Sequence, residues 1–134
     1  MGTRATIRLT DGSHEIWLYH HCDGYPEHVG EILKESADSG QDMFDTATSL
    51  IKMRDEKGDD EEFILTKGQH LDISYTYDME FNENSTVVTC YEPDFSSVEE
   101  LQKLKNIKLW EAYDEVVSDR QNYKTVFRHG HNCR

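Results

Sequence analysis

The chain lacks any long apolar run, and it lacks the common motifs of phosphate binding and hydrolysis. No stretch of about 18 apolar residues is present to span a bilayer. The first residues, Met-Gly-Thr-Arg, do not form the apolar segment of a secretory signal. The motifs Gly-x-x-x-x-Gly-Lys, Gly-x-Gly-x-x-Gly and Gly-x-Ser-x-Gly are also missing. These absences predict a cytoplasmic protein with no membrane segment and none of the common nucleotide-binding or hydrolase sites.

Cysteine is scarce, with three residues in the whole chain. Cys22, Cys90 and Cys133 are an odd number at long separations, and no Cys-x-x-Cys pair occurs. Such a pair is the usual element of zinc ribbons and of thiol–disulfide oxidoreductases. The spacing therefore predicts reduced thiols that form no disulfide.

Basic residues are few: 14 Lys and Arg stand against 27 Asp and Glu, which gives a net charge of −13. A surface of that sign repels a phosphate backbone, so the composition disfavours direct nucleic-acid binding. It favours a partner protein with a basic surface, including proteins that themselves hold DNA or RNA. The alternative that stays open is that the acidic charge only keeps a small protein soluble.

The 134 residues fit a single domain, residues 1–134, and hydrophobic alternation predicts where its strands lie. Apolar residues alternate with polar ones over 5–9, and Asp11-Gly12 supplies the turn of a hairpin. The clearest alternation runs over 71–79, with one apolar face and one polar face. Further strands are predicted at 15–20, 63–66 and 86–91.

Four amphipathic patterns predict helices. The first helix begins at Pro26 and ends near Gly40, and Gly30 inside it indicates close packing against a strand. Asp42 is the predicted cap of the second helix, and a capping box at Ser96 or Ser97 is predicted to begin the third. Apolar stripes mark the second helix at Met43, Phe44, Ala47, Leu50 and Ile51, and the fourth at Leu109, Trp110, Tyr113, Val116 and Val117.

Two segments carry no apolar pattern. The run "DEKGDDEE" at 55–62 predicts a solvated, mobile loop, and residues 128–134 predict a frayed tail. The remaining elements follow the order ββααβββαα. This order predicts an α+β fold with a largely antiparallel sheet of about five strands and the helices packed on one face.

The stretch "HHCDGYPEHVG" at 20–30 concentrates possible metal ligands and bases. Adjacent strand residues point to opposite faces, so His20 and His21 cannot both enter one site. His20 with His28, helped by Asp23, is the best ligand subset, but the spacing is poor and predicts neither a metal nor another cofactor. Cys22 could act as a nucleophile beside a histidine base, although no oxyanion arrangement is recognisable. The C-terminal His129, His131 and Cys133 also have ligand-like spacing.

A structural interpretation explains more of this stretch. Asp23 can cap the free N–H groups of the helix, Gly24 can make the bend with a positive φ, and Pro26 begins the helix. The alternative is a pocket for a nucleotide-like anion at the helix N-terminus. Its lining residues would be His21, Asp23, Tyr25 and His28.

The start "MGTRATIRL" and the segment "LYHHCDGYPEHVGEIL" resemble a family of small phage, prophage and bacterial proteins. Those proteins open with Met-Gly/Ser-Thr-Arg-Ala/Ser and continue into Tyr-x-His/Gln-x-Asp-Gly-Tyr-Pro-x-x-x-Gly. The likeness covers about the first 40 residues, and the tyrosine-rich strand at 71–79 is similar to a later strand of the family. Cys22 stands where an aromatic residue is common. The resemblance implies a phage or prophage origin, and with it a small inhibitor of a host defence protein, such as an anti-CRISPR protein.

Three functions follow as hypotheses. The first is a non-enzymatic protein that binds a basic host protein, as a monomer or a homodimer, through an acidic surface. The second is a nucleotide-like ligand binder, and the third is a metal- or thiol-dependent hydrolase. The predicted contact residues of the first are Asp59, Asp60, Glu61, Glu62, Asp72, Asp78 and Glu80.

Overall fold

A computed structural model describes residues 3–68 and 74–132, and for residues 131 and 132 it describes the backbone alone. Its strands are β1 (Ala5–Thr10), β2 (Glu15–His20), β3 (Phe63–Thr66), β4 (Tyr75–Asn82), β5 (Ser85–Pro93) and β6 (Tyr123–Asn132). Its α-helices are α1 (Glu31–Asp38), α2 (Met43–Ile51), α3 (Phe95–Lys105) and α4 (Leu109–Val117). A π-helical turn, Pro26–Gly30, leads into α1, and a 3₁₀ turn, Arg120–Asn122, precedes β6.

The strands form one mixed sheet in the order β3-β2-β1-β4-β5-β6. β1 and β4 pair in parallel, which the helices between them in sequence make possible, and the other neighbours pair antiparallel. The prediction of an α+β fold with a largely antiparallel sheet is therefore confirmed. The expected five strands are corrected to six, because a strand follows the last helix.

That additional strand, β6, corrects the prediction of a frayed tail at 128–134. Residues 128 to 132 lie in β6 and pair with β5, and residues 133 and 134 fall outside the described chain. Backbone hydrogen bonds hold this edge strand, so its sequence does not need to alternate between apolar and polar residues. Phe127 anchors it: the ring lies under the Lys34 ammonium group, 4.4 Å from it. A Cβ added to Gly30 would sit 3.1 Å from the same ring, which confirms the predicted close packing of that glycine.

One face of the sheet, which we call the helix face, carries the main core. Ile7, Leu18, Tyr77 and Met79 are fully buried on it, together with Leu33 of α1. The alternation that predicted β1 and β4 is thus confirmed at the described positions. Leu71, Asp72 and Ile73, the first part of that predicted strand, lie outside the described residues.

The last two helices depart from the prediction that all helices cover one face. α3 and α4 form a separate cluster around Val98, Ala112 and Val116. The turn after α4 then brings Arg120 to Asp78 on the other side of the sheet, which we call the polar face. The cap of α3 is Asp94, whose carboxylate accepts from the N–H of Ser96, and not the predicted serine box. In the described part of the chain, no helix is long and apolar enough to cross a membrane.

Candidate functional site

The Gly-Tyr-Pro corner between β2 and the π-helical turn is fastened to the sheet. The N–H of Gly24 donates to the carbonyl of Thr3 at 2.8 Å, and the Tyr77 hydroxyl donates to the carbonyl of Gly24 at 2.7 Å. A Cβ on Gly24 would lie 2.7 Å from the Cβ of Ala5, closer than van der Waals contact allows. Position 24 therefore requires glycine, because its backbone lies too close to Ala5 for any side chain. The expected positive φ belongs to Asp23 instead, at 57°.

Helix initiation at this corner agrees with the prediction in one respect and corrects it in another. Pro26 occupies the start of the helical segment, as predicted. The cap position is Tyr25, whose carbonyl accepts from the N–H groups of His28 and Val29, each at 3.0 Å. Among the described residues no side chain caps this turn, so the predicted capping role of Asp23 is wrong.

The four predicted ligand-binding residues do not converge on one point. His21 contacts the Tyr19 hydroxyl at 3.3 Å, on the side of the strand opposite His20, as strand alternation requires. Asp23 and Tyr25 are exposed, and the rings of Tyr25 and His28 are 6.3 Å apart. His28 points toward Glu61. The nucleotide-like pocket at these residues stays a prediction.

The corner instead brings His20 and His28 together with Glu61. One carboxylate oxygen of Glu61 lies 2.9 Å from Nε2 of His28 and 3.8 Å from Nε2 of His20. One ligand atom from each residue lies within 4.8 Å of the other two. We call these three residues the His–His–Glu cluster. Both histidines belong to the predicted ligand subset, but Glu61 takes the place predicted for Asp23.

His20 is the buried member of the cluster. It ends β2 on the helix face, its side chain is 4% exposed, and its ring packs 4.6 Å from the ring of Phe63. Neither ring nitrogen has a hydrogen-bond partner among the described residues. Burial lowers the pKa of His20 from its usual 6.5, outweighing the nearby charge of Glu61, which raises it. The imidazole is therefore neutral at pH 7, and a nitrogen lone pair is available.

Glu61 reaches the cluster because the acidic loop at 52–62 is ordered by its own hydrogen bonds. The Asp55 carboxylate accepts from the N–H groups of Lys57 and Asp59, and the N–H of Glu61 donates to the carbonyl of Met53 at 3.0 Å. Residues 56–60 are exposed, as a solvated loop requires, but the loop folds as a hydrogen-bonded turn, and its mobility stays a prediction. Asp55 holds it by the backbone bonding that a carboxylate offers in turns.

Beside the cluster, α1 and this loop enclose a groove of about 660 Å³, which we call the acidic groove. Its apolar floor is formed by Ile32 and Met53, both half-buried. Its charged residues are Glu35, Asp55, Glu56, Asp59 and Glu61 on the acidic side, and Arg54 and Lys57 on the basic side. His28 and Glu61 belong to the groove and to the cluster, so the cluster opens into the groove.

The predicted protein-contact residues separate into distinct groups. Asp59, Asp60 and Glu62 are exposed on the acidic loop, whereas Glu61 is largely buried in the cluster and Glu80 is half-buried. Asp72 lies outside the described residues. Asp78 is buried.

Asp78 was expected on an exposed acidic face but is buried on the polar face of the sheet. Its carboxylate lies 3.4 Å from the guanidinium of Arg8 and 3.1 Å from that of Arg120. Tyr91 packs against Arg120, with its ring centre 5.2 Å from the guanidinium carbon. Because two arginines already enclose this carboxylate, it is not available to a partner protein.

Among the described residues, Cys22, Cys90 and His129 are not members of the cluster. Cys22 is exposed and contributes no ligand atom to it, and Cys133 falls outside the described residues. Cys90 is buried in the core, and burial raises the pKa of its thiol to about 12. His129 contacts the Asp38 carboxylate at 2.8 Å, at the end of α1. A thiol nucleophile at Cys22 stays a prediction.

Comparison of the chain with protein-family models, curated proteins and solved structures finds no match. The resemblance to the phage family therefore still depends on the N-terminal motif. Functional inference depends on the residues of the groove and the cluster themselves.

Proposed function

We propose that the protein is a non-enzymatic binding protein that recognises a basic surface on a partner protein through the acidic groove. The observation that carries this proposal is the charge of the groove. Five carboxylates line it against two cations, in a chain whose net charge is −13. A concave surface of one sign concentrates the field and attracts the opposite charge.

The groove has the composition that suits lysine and arginine side chains. Glu35, Glu56 and Asp59 are exposed on it and can meet a charged head group. The half-buried side chains of Ile32 and Met53 can cover the methylene stem, which is apolar in both basic residues. Recognition of this kind speeds association and fixes the register of the two proteins more than it slows dissociation.

The finer hypothesis is an inhibitor of a host defence protein, as the phage-like N-terminal motif implies. Defence proteins that hold nucleic acid carry basic surfaces, and a groove of carboxylates can occupy such a surface in place of phosphates. Homodimer formation belongs to the same hypothesis. Trp110 on α4 is 61% exposed and could meet a second copy.

A matched pair of triple variants tests the groove. The first carries Glu35→Gln, Glu56→Gln and Asp59→Asn in the groove. The control carries Glu83→Gln, Glu99→Gln and Glu100→Gln, which are exposed elsewhere and change the net charge equally. Binding of a dye-labelled octa-arginine peptide is measured by fluorescence anisotropy at low and physiological salt.

The groove variant should bind roughly tenfold more weakly than the parent protein, because three exposed ion pairs contribute about 1–2 kcal/mol together. Its affinity should also depend less on salt. The control variant should lose much less of its affinity for the peptide. Equal losses in the two variants would show that only the net charge matters and would contradict a groove-based function.

A further inference from the structure

We propose that His20, His28 and Glu61 bind a divalent transition-metal ion, with zinc as the best match. This site goes beyond the recognition of a basic partner, since it needs two neutral imidazoles and one carboxylate instead of a field of exposed acids.

The spacing of the ligand atoms fits a tetrahedral ion. With bonds of about 2.0 to 2.1 Å, neighbouring ligand atoms of such a site lie about 3.3 Å apart. The carboxylate oxygen of Glu61 is 2.9 Å from His28 Nε2 and 3.8 Å from His20 Nε2, so the two separations fall on either side of that value. The third separation, between a nitrogen of His20 and a nitrogen of His28, is at most 4.8 Å, so the two imidazoles would close on the ion as it binds.

His20 supplies the second, independent observation. Its side chain is 4% exposed, and neither ring nitrogen has a hydrogen-bond partner in the described part of the chain. A metal ion would give one of these nitrogens a bonding partner. The carbonyls of Cys22 and Glu61 lie beside the ring, and carbonyls commonly orient the second nitrogen of a metal-binding histidine.

The ligand set indicates which metal would bind. Two imidazoles and one carboxylate form a common catalytic-type zinc set, and they also suit iron(II). The cluster offers no thiolate, which disfavours copper(I).

The fourth coordination position faces the acidic groove. His28 has a side chain that is 34% exposed, and it lines the groove together with Glu61. Water or a donor atom of a bound partner can reach the ion from that side. A site with three protein ligands and one open position is the arrangement that leaves a metal accessible to exogenous ligands.

The alternative is a plain ion pair between His28 and Glu61 beside a core histidine. Zinc titration of the tag-free full chain distinguishes the two, using protein with His131→Gln and Cys133→Ser so that the C-terminus cannot chelate. Binding is followed by calorimetry at pH 7.5, and bound zinc is counted by elemental analysis after dialysis. The variants are His28→Gln, Glu61→Gln and His20→Gln, with His129→Gln as the matched control.

One zinc ion per chain is expected, and His129→Gln should leave its affinity unchanged. His28→Gln and Glu61→Gln should each weaken it by more than the roughly 10–100-fold that loss of an outer-shell partner costs. These two residues are at the groove, so folding of their variants can be checked by circular dichroism even if His20→Gln fails to fold. Cobalt(II) should give the visible spectrum of a four-coordinate site without thiolate charge transfer.

Absence of stoichiometric zinc would overturn the proposal, as would affinity that survives both His28→Gln and Glu61→Gln. The Glu35, Glu56 and Asp59 triple variant should keep its zinc affinity while binding the octa-arginine peptide roughly tenfold more weakly. Failure of the metal site and failure of the groove can therefore be told apart.

Discussion

Each face of the sheet buries one carboxylate, and the negative charges of these two carboxylates are compensated by different kinds of side chain. On the polar face, Asp78 lies between the guanidinium groups of Arg8 and Arg120. On the helix face, Glu61 meets His28 and the buried, neutral His20. Arginine is charged at every accessible pH, whereas histidine is charged only when it takes up a proton.

This difference separates a structural pair from a candidate site. The charge of Asp78 is fully compensated within the fold, so no outside cation is needed. Glu61 has partners that acquire positive charge only with a proton or a metal ion. A buried carboxylate surrounded by imidazoles is therefore the place at which this molecule can take up a cation, and the predictions below test that contrast.

The largest expected effect is at Asp78. Asp78→Ala leaves two arginines facing each other without their anion, and breaking a buried pair of this kind costs about 3–5 kcal/mol. Both arginines are partly exposed, so solvent reduces the cost to about 2–3 kcal/mol. Urea denaturation followed by circular dichroism measures it. The control Glu83→Ala, at an exposed turn, should stay within about 0.5 kcal/mol of the parent, and equal stability of both variants would break the comparison.

The corner that positions the two histidines should come next. Gly24→Ala would force a Cβ against Ala5 and the Thr3 carbonyl, at 2.7 and 2.9 Å, and should cost about 1–3 kcal/mol. At Gly30→Ala the closest group is the Phe127 ring at 3.1 Å, which can move, and Pro26 Cβ is at an ordinary contact distance of 3.5 Å. Thermal unfolding should therefore rank Gly24→Ala as clearly the less stable of the two. The reverse ranking would mean that close packing at Gly24 does not hold the two histidines in place.

The smallest expected effect is the pH dependence of stability that His20, the neutral partner of Glu61, contributes. The folded state holds the pKa of His20 below 6.5, so below that pH the unfolded chain binds a proton that the folded chain resists. Stability should fall as pH drops below 6.5, with a slope of at most about 1.4 kcal/mol per pH unit from this residue. Urea unfolding between pH 5 and 8, in the presence of a chelator, measures the slope.

The control for that slope is His20→Gln, which removes the titrating ring and leaves His28 and Glu61 in place. The difference between parent and variant isolates His20 from those neighbours. Identical slopes for the two proteins would show that the ring is not held neutral by burial.

Local patterns predicted much of this fold. Alternation at 5–9 predicted β1 and its buried face, and the placement of His20 and His21 on opposite sides of β2 followed from the same period. Gly30 was expected to pack closely on a strand, and Phe127 is the side chain that it meets. Each of these features depends on neighbours in the sequence, which is why the sequence alone could indicate them.

The features that were missed depend on distant partners. Glu61 joins His28 across 33 positions, from an acidic run with no apolar pattern to indicate that it folds back. Asp78 lies in a run of alternating polar residues, and its burial depends on Arg8 and Arg120, which are 70 and 42 positions away. β6 is held by backbone pairing at the sheet edge, which leaves little signal in side-chain periodicity.

Diffraction from zinc-soaked crystals of the full chain, recorded at the zinc absorption edge, tests the contrast between the two carboxylates most directly. An anomalous peak should lie about 2.0–2.2 Å from a nitrogen of His20, a nitrogen of His28 and an oxygen of Glu61. Asp78 should show none. Zinc found only at surface histidines, with His20 and Glu61 unmoved and unliganded, would contradict the account.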